Sequence, residues 1–148
     1  MFSWRRQPEA GASTTGVVWQ LRVERERGAV GKLNDRLEVT LRPSVPEPVV
    51  RALQVALDEL LTNVIMHARQ ASGPIELRLA RSARMLHAEI SYLAEEFDPT
   101  AVKETARATT IEDSTIGGLG IPLVRALMDD FRYRYDAGCN IVTLSKRC

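Results

Sequence analysis

EPVVRALQVALDELLTNVIMHAR, residues 47–69, is the stretch on which the fold turns. Val50, Leu53, Leu57, Leu60, Leu61, Val64 and Ile65 recur at spacings of three and four, so they cover one broad apolar face and predict a core helix over 47–69. Within it Glu59, Asn63 and His67 stand four residues apart. At about 100° per residue, each step of four drifts by only about 40°, so the three side chains form one polar stripe. The stripe reads either as the solvent edge of an amphipathic helix or as a site. As a site, the Asn63 amide oxygen suits Mg²⁺, which prefers hard oxygen ligands, and Glu59 could orient or deprotonate a nucleophile. His67 reads as a hydrogen-bonding residue at the core edge rather than a metal ligand, since no second His lies at ligand spacing.

Working outward, Ser72-Gly73-Pro74 closes the helix. Ile75, Leu77 and Leu79 then alternate with Glu76 and Arg78, and Leu86, Ala88 and Ile90 alternate with His87, Glu89 and Ser91. A period of two marks half-buried strands, and a turn near Ser82 to Arg84 makes them a hairpin. On the N-terminal side, the Pro43, Pro46 and Pro48 cluster ends an amphipathic helix expected over Glu24 to Leu41, with Val30, Leu33 and Leu37 on its apolar face. Trp19, Leu21 and Val23 place a strand at Val17 to Val23. Residues 1–16 carry no sustained period and read as a flexible leader, leaving 17–148 as the domain.

Residues Glu95 to Ile116 lack a period and form a connection of about 20 residues, a length that in compact domains usually serves function. Gly117-Gly118-Leu119-Gly120 then opens a helix through about Asp130. Backbone amides at such a start favour anions, although a plain Gly-rich turn gives the same pattern. Asp113 and Ser114 fit simple turn roles. Phe131 to Tyr135 and Asn140 to Leu144 predict a second hairpin.

Composition narrows the function classes. The 148 residues fit one domain, and 20 Lys plus Arg against 19 Asp plus Glu give a net charge of +1, which argues against nucleic acid as the main partner. The two cysteines, Cys139 and Cys148, lack zinc-ligand spacing and fit a reducing compartment. No apolar run approaches 18 residues, so no membrane span is expected and the cytoplasm is the default location.

Three motifs in order are more specific than any one alone: ALDELLTNVIMHA (56–68), Phe97-Asp98-Pro99, and IGGLGIPLV (116–124). Together they resemble the anti-sigma-factor serine/threonine kinases, a branch of the histidine-kinase-like (GHKL) ATPase superfamily, over roughly Val17 to Arg147. The resemblance implies an α/β two-layer sandwich of the Bergerat type, with a mixed, mostly antiparallel sheet covered on one face by helices. It implies ATP and Mg²⁺ as cofactors, with Asn63 holding Mg²⁺ on the phosphates and Glu59 as the base toward an accepting hydroxyl. Gly117, Gly118, Leu119 and Gly120 would bind nucleotide, and the loop before them is similar to the family's ATP lid. In that lid Lys103 or Arg107 would meet phosphate, or both are exposed loop charges. The implied partners are a sigma factor or an anti-sigma antagonist domain, in a partner-switching system that regulates transcription. A homodimer follows by analogy.

One departure stands out. Relatives carry an Asp that accepts a hydrogen bond from the adenine amino group and, two residues on, a Gly that clears space for the ring. Those places hold Tyr92 and Ala94 here. Losing a charge-assisted hydrogen bond costs about 1.5–3 kcal/mol, or ten- to over a hundredfold in affinity. The resemblance therefore leaves two readings, an ATP-dependent kinase and a non-catalytic partner-binding module with a degenerate nucleotide site.

Overall fold

The computed structural model describes residues 5–8, 17–102 and 120–148. Among them six strands form one sheet: β1 (Arg5–Pro8), β2 (Val17–Val23), β3 (Ser72–Arg81), β4 (Met85–Leu93), β5 (Asp130–Asp136) and β6 (Cys139–Arg147). Their order is β1-β2-β3-β4-β6-β5, and every described pairing is antiparallel. Among the described residues, three helices, α1 (Ala29–Leu41), α2 (Glu47–His67) and α3 (Gly120–Leu127), complete the two-layer α/β sandwich. No described helix is long and apolar enough to cross a membrane.

Strand registers show why one face is covered. Trp19, Leu79, Ala88, Leu144 and Phe131 lie in one cross-strand row, and Leu21, Leu77, Ile90, Val142 and Tyr133 in the next. These rows pack with the apolar faces of α1 and α2 in a single core. The opposite face carries Gln20, Arg78, Glu89, Thr143 and Arg132 in one row, a polar surface that needs no cover. Leu53, Leu57 and Leu61 of α2 are fully buried, each worth about 1.5–3 kcal/mol of transfer free energy.

Three boundaries differ from the sequence expectation. The first helix begins at Ala29, not Glu24. Glu24 to Gly28 offer no apolar side chain to bury, and Arg25 is instead drawn to β3 and β4, donating to Gly73 O at 2.6 Å and Leu93 O at 3.2 Å. The last helix ends at Leu127, because β6 claims the following residues: Asp129 N donates to Ser145 O at 2.9 Å and Lys146 Nζ to Leu127 O at 2.6 Å. Arg5–Pro8, inside the stretch expected to be a leader, pairs with β2. Both hairpins stand where alternation puts them. The β5–β6 turn has positive φ at Ala137 (47°) and Gly138 (81°), the two-residue geometry that follows strand twist.

Candidate functional site

Helix α2 starts from Pro46, carries Pro48 in its first turn and runs unbroken to His67, so its polar stripe keeps helical spacing. Asn63 and Glu59 are half-buried while His67 is exposed. Asn63 and His67 line one pocket of about 590 Å³ with Met66, Tyr92, Phe97 and Val102, a size suited to a small ligand. Glu59 instead meets the start of α3. A Cβ built on Gly120 would collide with the Glu59 Oε2 and lie 3.0 Å from Cδ, so only glycine leaves the carboxylate its place there. The structure thus joins Glu59 to the last glycine of the Gly-Gly-Leu-Gly run, 61 positions on in the chain. Gly117, Gly118 and Leu119, like Lys103, Arg107, Asp113 and Ser114, lie outside the described residues.

Of the Phe97-Asp98-Pro99 motif, Phe97 lines the pocket. The Asp98 Oδ1 accepts from Thr100 N at 2.8 Å and Thr100 Oγ1 at 2.6 Å, capping a 3₁₀ turn at Pro99–Ala101. Arg125 of α3 donates to Thr100 O at 2.6 Å, tying that turn to the helix that carries Gly120.

Tyr92 occupies the inner face of β4, 4% exposed, opposite a register irregularity between Ser72 and Glu76 of β3. Burial pushes its phenol up to about 12, with the nearby Tyr133 adding to the shift and the Arg25 cation opposing it. It is therefore neutral at ordinary pH, and burial likewise lowers the Arg25 guanidinium. Ala94 is buried and its N–H donates to Gly138 O at 3.3 Å, on the wall of a second, open groove of about 700 Å³.

Sequence reasoning missed Asn140. It is fully buried on the inner face of β6, directly across from Tyr92. Its Oδ1 accepts from Tyr133 Oη at 2.6 Å and Phe97 N at 3.0 Å, while Nδ2 donates to Glu95 O at 3.1 Å and Ala94 O at 3.3 Å. The available signal was parity: Asn140 shares its strand face with Val142 and Leu144, where an unpaired amide would be costly. Arg25 and Arg125 gave no such signal.

The family model for the histidine kinase-like ATPase domain matches residues 23–146. Among curated proteins, the serine/threonine-protein kinase BtrW of Bordetella bronchiseptica is 30% identical over 95 residues, 63% of this chain and 67% of that protein. The serine-protein kinase RsbW of Listeria monocytogenes is 28% identical over 132 residues, 85% of this chain and 83% of that one. A crystal structure of the RsbU and RsbW domains of Rv1364c from Mycobacterium tuberculosis superposes with a TM-score of 0.63 at 14% identity. That likeness covers 88% of this chain and 32% of the other, so the chain spans about a third of that structure, and it speaks to the fold alone. With the family model matching most of its length and the two-layer sandwich in agreement, the chain belongs to the histidine kinase-like ATPase domain family and is similar to the protein kinases RsbW and BtrW.

Proposed function

We propose that this protein is an anti-sigma-factor-type regulator that phosphorylates a Ser or Thr of an antagonist domain in a partner-switching system. The observation that carries the reading is the pairing on α2: Asn63 faces a pocket of about 590 Å³, and Glu59, one turn earlier, lies against Gly120. A cradle in which a Cβ would strike the Glu59 carboxylate, beside a hard amide oxygen, fits a nucleotide with its metal at the phosphate end. MgATP supplies the transferable phosphoryl group and the cation that neutralises its charge. Asn63 would hold the Mg²⁺ through its Oδ1. Glu59 would accept the proton of the attacking hydroxyl, in keeping with its half-buried position against Gly120. Gly117, Gly118, Leu119 and Gly120 would present backbone amides to the phosphates. The protein partner would be a sigma factor or an antagonist domain, met in the cytoplasm by a homodimer on the analogy of relatives.

The base end supports a second reading, that of a non-catalytic binding module with a degenerate nucleotide site. A buried phenol that stays neutral to about pH 12 accepts hydrogen bonds more weakly than a carboxylate, and Tyr92 with Ala94 fills space on the inner face. Calorimetric titration with ATP and ADP, with and without Mg²⁺, separates the two, using the native chain and a Tyr92→Asp, Ala94→Gly variant. Mg²⁺-dependent binding by the native chain supports the kinase. Binding by the variant alone, tighter by tenfold to over a hundredfold as a charge-assisted hydrogen bond implies, sinks the kinase reading in favour of the module.

A further inference from the structure

Residues 94–97 are the only link between β4 and the Phe97-Asp98-Pro99 turn, and they have no ladder partner of their own to hold them. Glu95, Glu96 and Phe97 line the pocket that also contains Asn63, while Ala94, Glu95 and Glu96 line the open groove on the other side. A shift of this short segment would reshape both cavities. Five of its backbone groups are nevertheless fastened. Ala94 N donates to Gly138 O at 3.3 Å and Glu95 N to Arg69 O at 2.9 Å. The other three, Ala94 O, Glu95 O and Phe97 N, all bond the Asn140 side chain, and Ala94 O also accepts from Tyr135 Oη at 3.4 Å.

That side chain is unusual among the described residues, being a buried polar group with 0% exposure on the strand face that also carries Val142 and Leu144. A primary amide offers two N–H donors and one oxygen with two lone pairs, and all four are taken: two carbonyls on Nδ2, and the Phe97 amide and Tyr133 hydroxyl on Oδ1. The partners leave only one orientation of the amide. An apolar residue in its place would strip Glu95 O, Phe97 N and the Tyr133 hydroxyl of this partner and leave Ala94 O only the longer bond from Tyr135 Oη, and a carboxylate lacks the two donors. Asn140 is itself sealed from the pocket, so it acts on the cavity through the segment it holds.

We propose that Asn140 is a positioning residue: its amide clamps residues 94–97 as one wall of the pocket and thereby sets affinity for the ligand without touching it. The inference about affinity rests on the reading of this pocket as a nucleotide site; the clamp itself does not. Two variants of the full chain separate the roles. Asn140→Leu removes all four hydrogen bonds, whereas Asn140→Asp keeps an acceptor for Phe97 N–H and Tyr133 O–H and sets a carboxylate oxygen against the two carbonyls that the amide had bonded.

Amide hydrogen exchange followed residue by residue reads the clamp directly, and ADP with Mg²⁺ is the affinity probe. In Asn140→Leu the Phe97 amide should exchange at least about tenfold faster, while Leu77 and Ile90 in the central strands keep their native rates, because the loss is local. In Asn140→Asp the Phe97 amide should stay protected. ADP affinity should fall by about tenfold in both variants. Unchanged Phe97 exchange in Asn140→Leu overturns the proposal. So does acceleration spread evenly over Phe97, Leu77 and Ile90, which would make Asn140 an ordinary stabiliser of the whole core. If the native chain does not bind ADP, the nucleotide reading of the pocket fails, and the exchange pattern alone upholds or overturns the clamp.

Discussion

Replacing Gly120 with Ala tests whether the contact between α2 and α3 matters for chemistry rather than for folding. The added Cβ would collide with Glu59 Oε2 and lie 3.0 Å from its Cδ and 3.4 Å from its Cβ, so the carboxylate must swing aside. The obstacle is the end of a flexible side chain, and moving it off its preferred rotamer costs about 0.5–1.5 kcal/mol. Against this, Ala at the head of a helix in place of Gly gains at most about 1 kcal/mol. The two nearly cancel, and for a chain of this length a residual of about 1 kcal/mol moves the melting temperature by about 2–4 °C. Function should respond far more. A base displaced by about 1 Å loses about a hundredfold in rate, within the 10²–10⁴ span of general base catalysis. The assay is turnover of MgATP by the native chain, Gly120→Ala and Glu59→Gln, with thermal melts of all three. Gly120→Ala should melt within a few degrees of the native protein yet lose turnover as Glu59→Gln does. If Glu59→Gln is inactive while Gly120→Ala retains turnover within about threefold, the position of the carboxylate against Gly120 is irrelevant and the assignment of Glu59 as base loses its geometric support.

Two further outcomes follow from burial. Tyr92 titrates higher in the fold, at about 12, than in the unfolded chain near its ordinary value of 10.0, so folding favours the neutral phenol. That contribution is fully present below about pH 10 and is lost as pH rises through about 12. Denaturant unfolding of the native chain between pH 10 and 12 should therefore lose stability faster than that of Tyr92→Phe; parallel slopes would refute the buried-phenol account. Leu57→Ala in the middle of α2, where the side chain is fully buried, should cost about 2–5 kcal/mol in urea unfolding, whereas Val39→Ala at 77% exposure should stay within about 0.5 kcal/mol.

Local periodicity made most of the fold legible. Helix α2 declared itself because seven apolar residues repeat at the helical period, and β2, β3 and β4 because Leu21, Leu77 and Ile90 each alternate with polar neighbours. These patterns survive in the sequence because the core they build is one-sided. The misjudged boundaries lie where a partner distant in sequence decides the outcome: α1 starts at Ala29 because Arg25 is pulled to Gly73 and Leu93, and β1 exists only because β2 has an open edge to pair with.

The candidate site divides the same way. Sequence alone determined that Glu59, Asn63 and His67 share a helix face, since i, i+4 spacing is a property of the α-helix itself, and it marked Tyr92 and Ala94 as departures within a recognisable motif order. Only tertiary structure decided that Glu59 meets Gly120, that Asn63 and Tyr92 share a pocket, and that Asn140 holds Ala94, Glu95 and Phe97. Each of those contacts joins residues about 30 to 60 positions apart, across strand registers and helix packing that no local pattern encodes. A buried amide in particular gains its meaning from the backbone groups around it, and those assemble only when β4 and β6 pair.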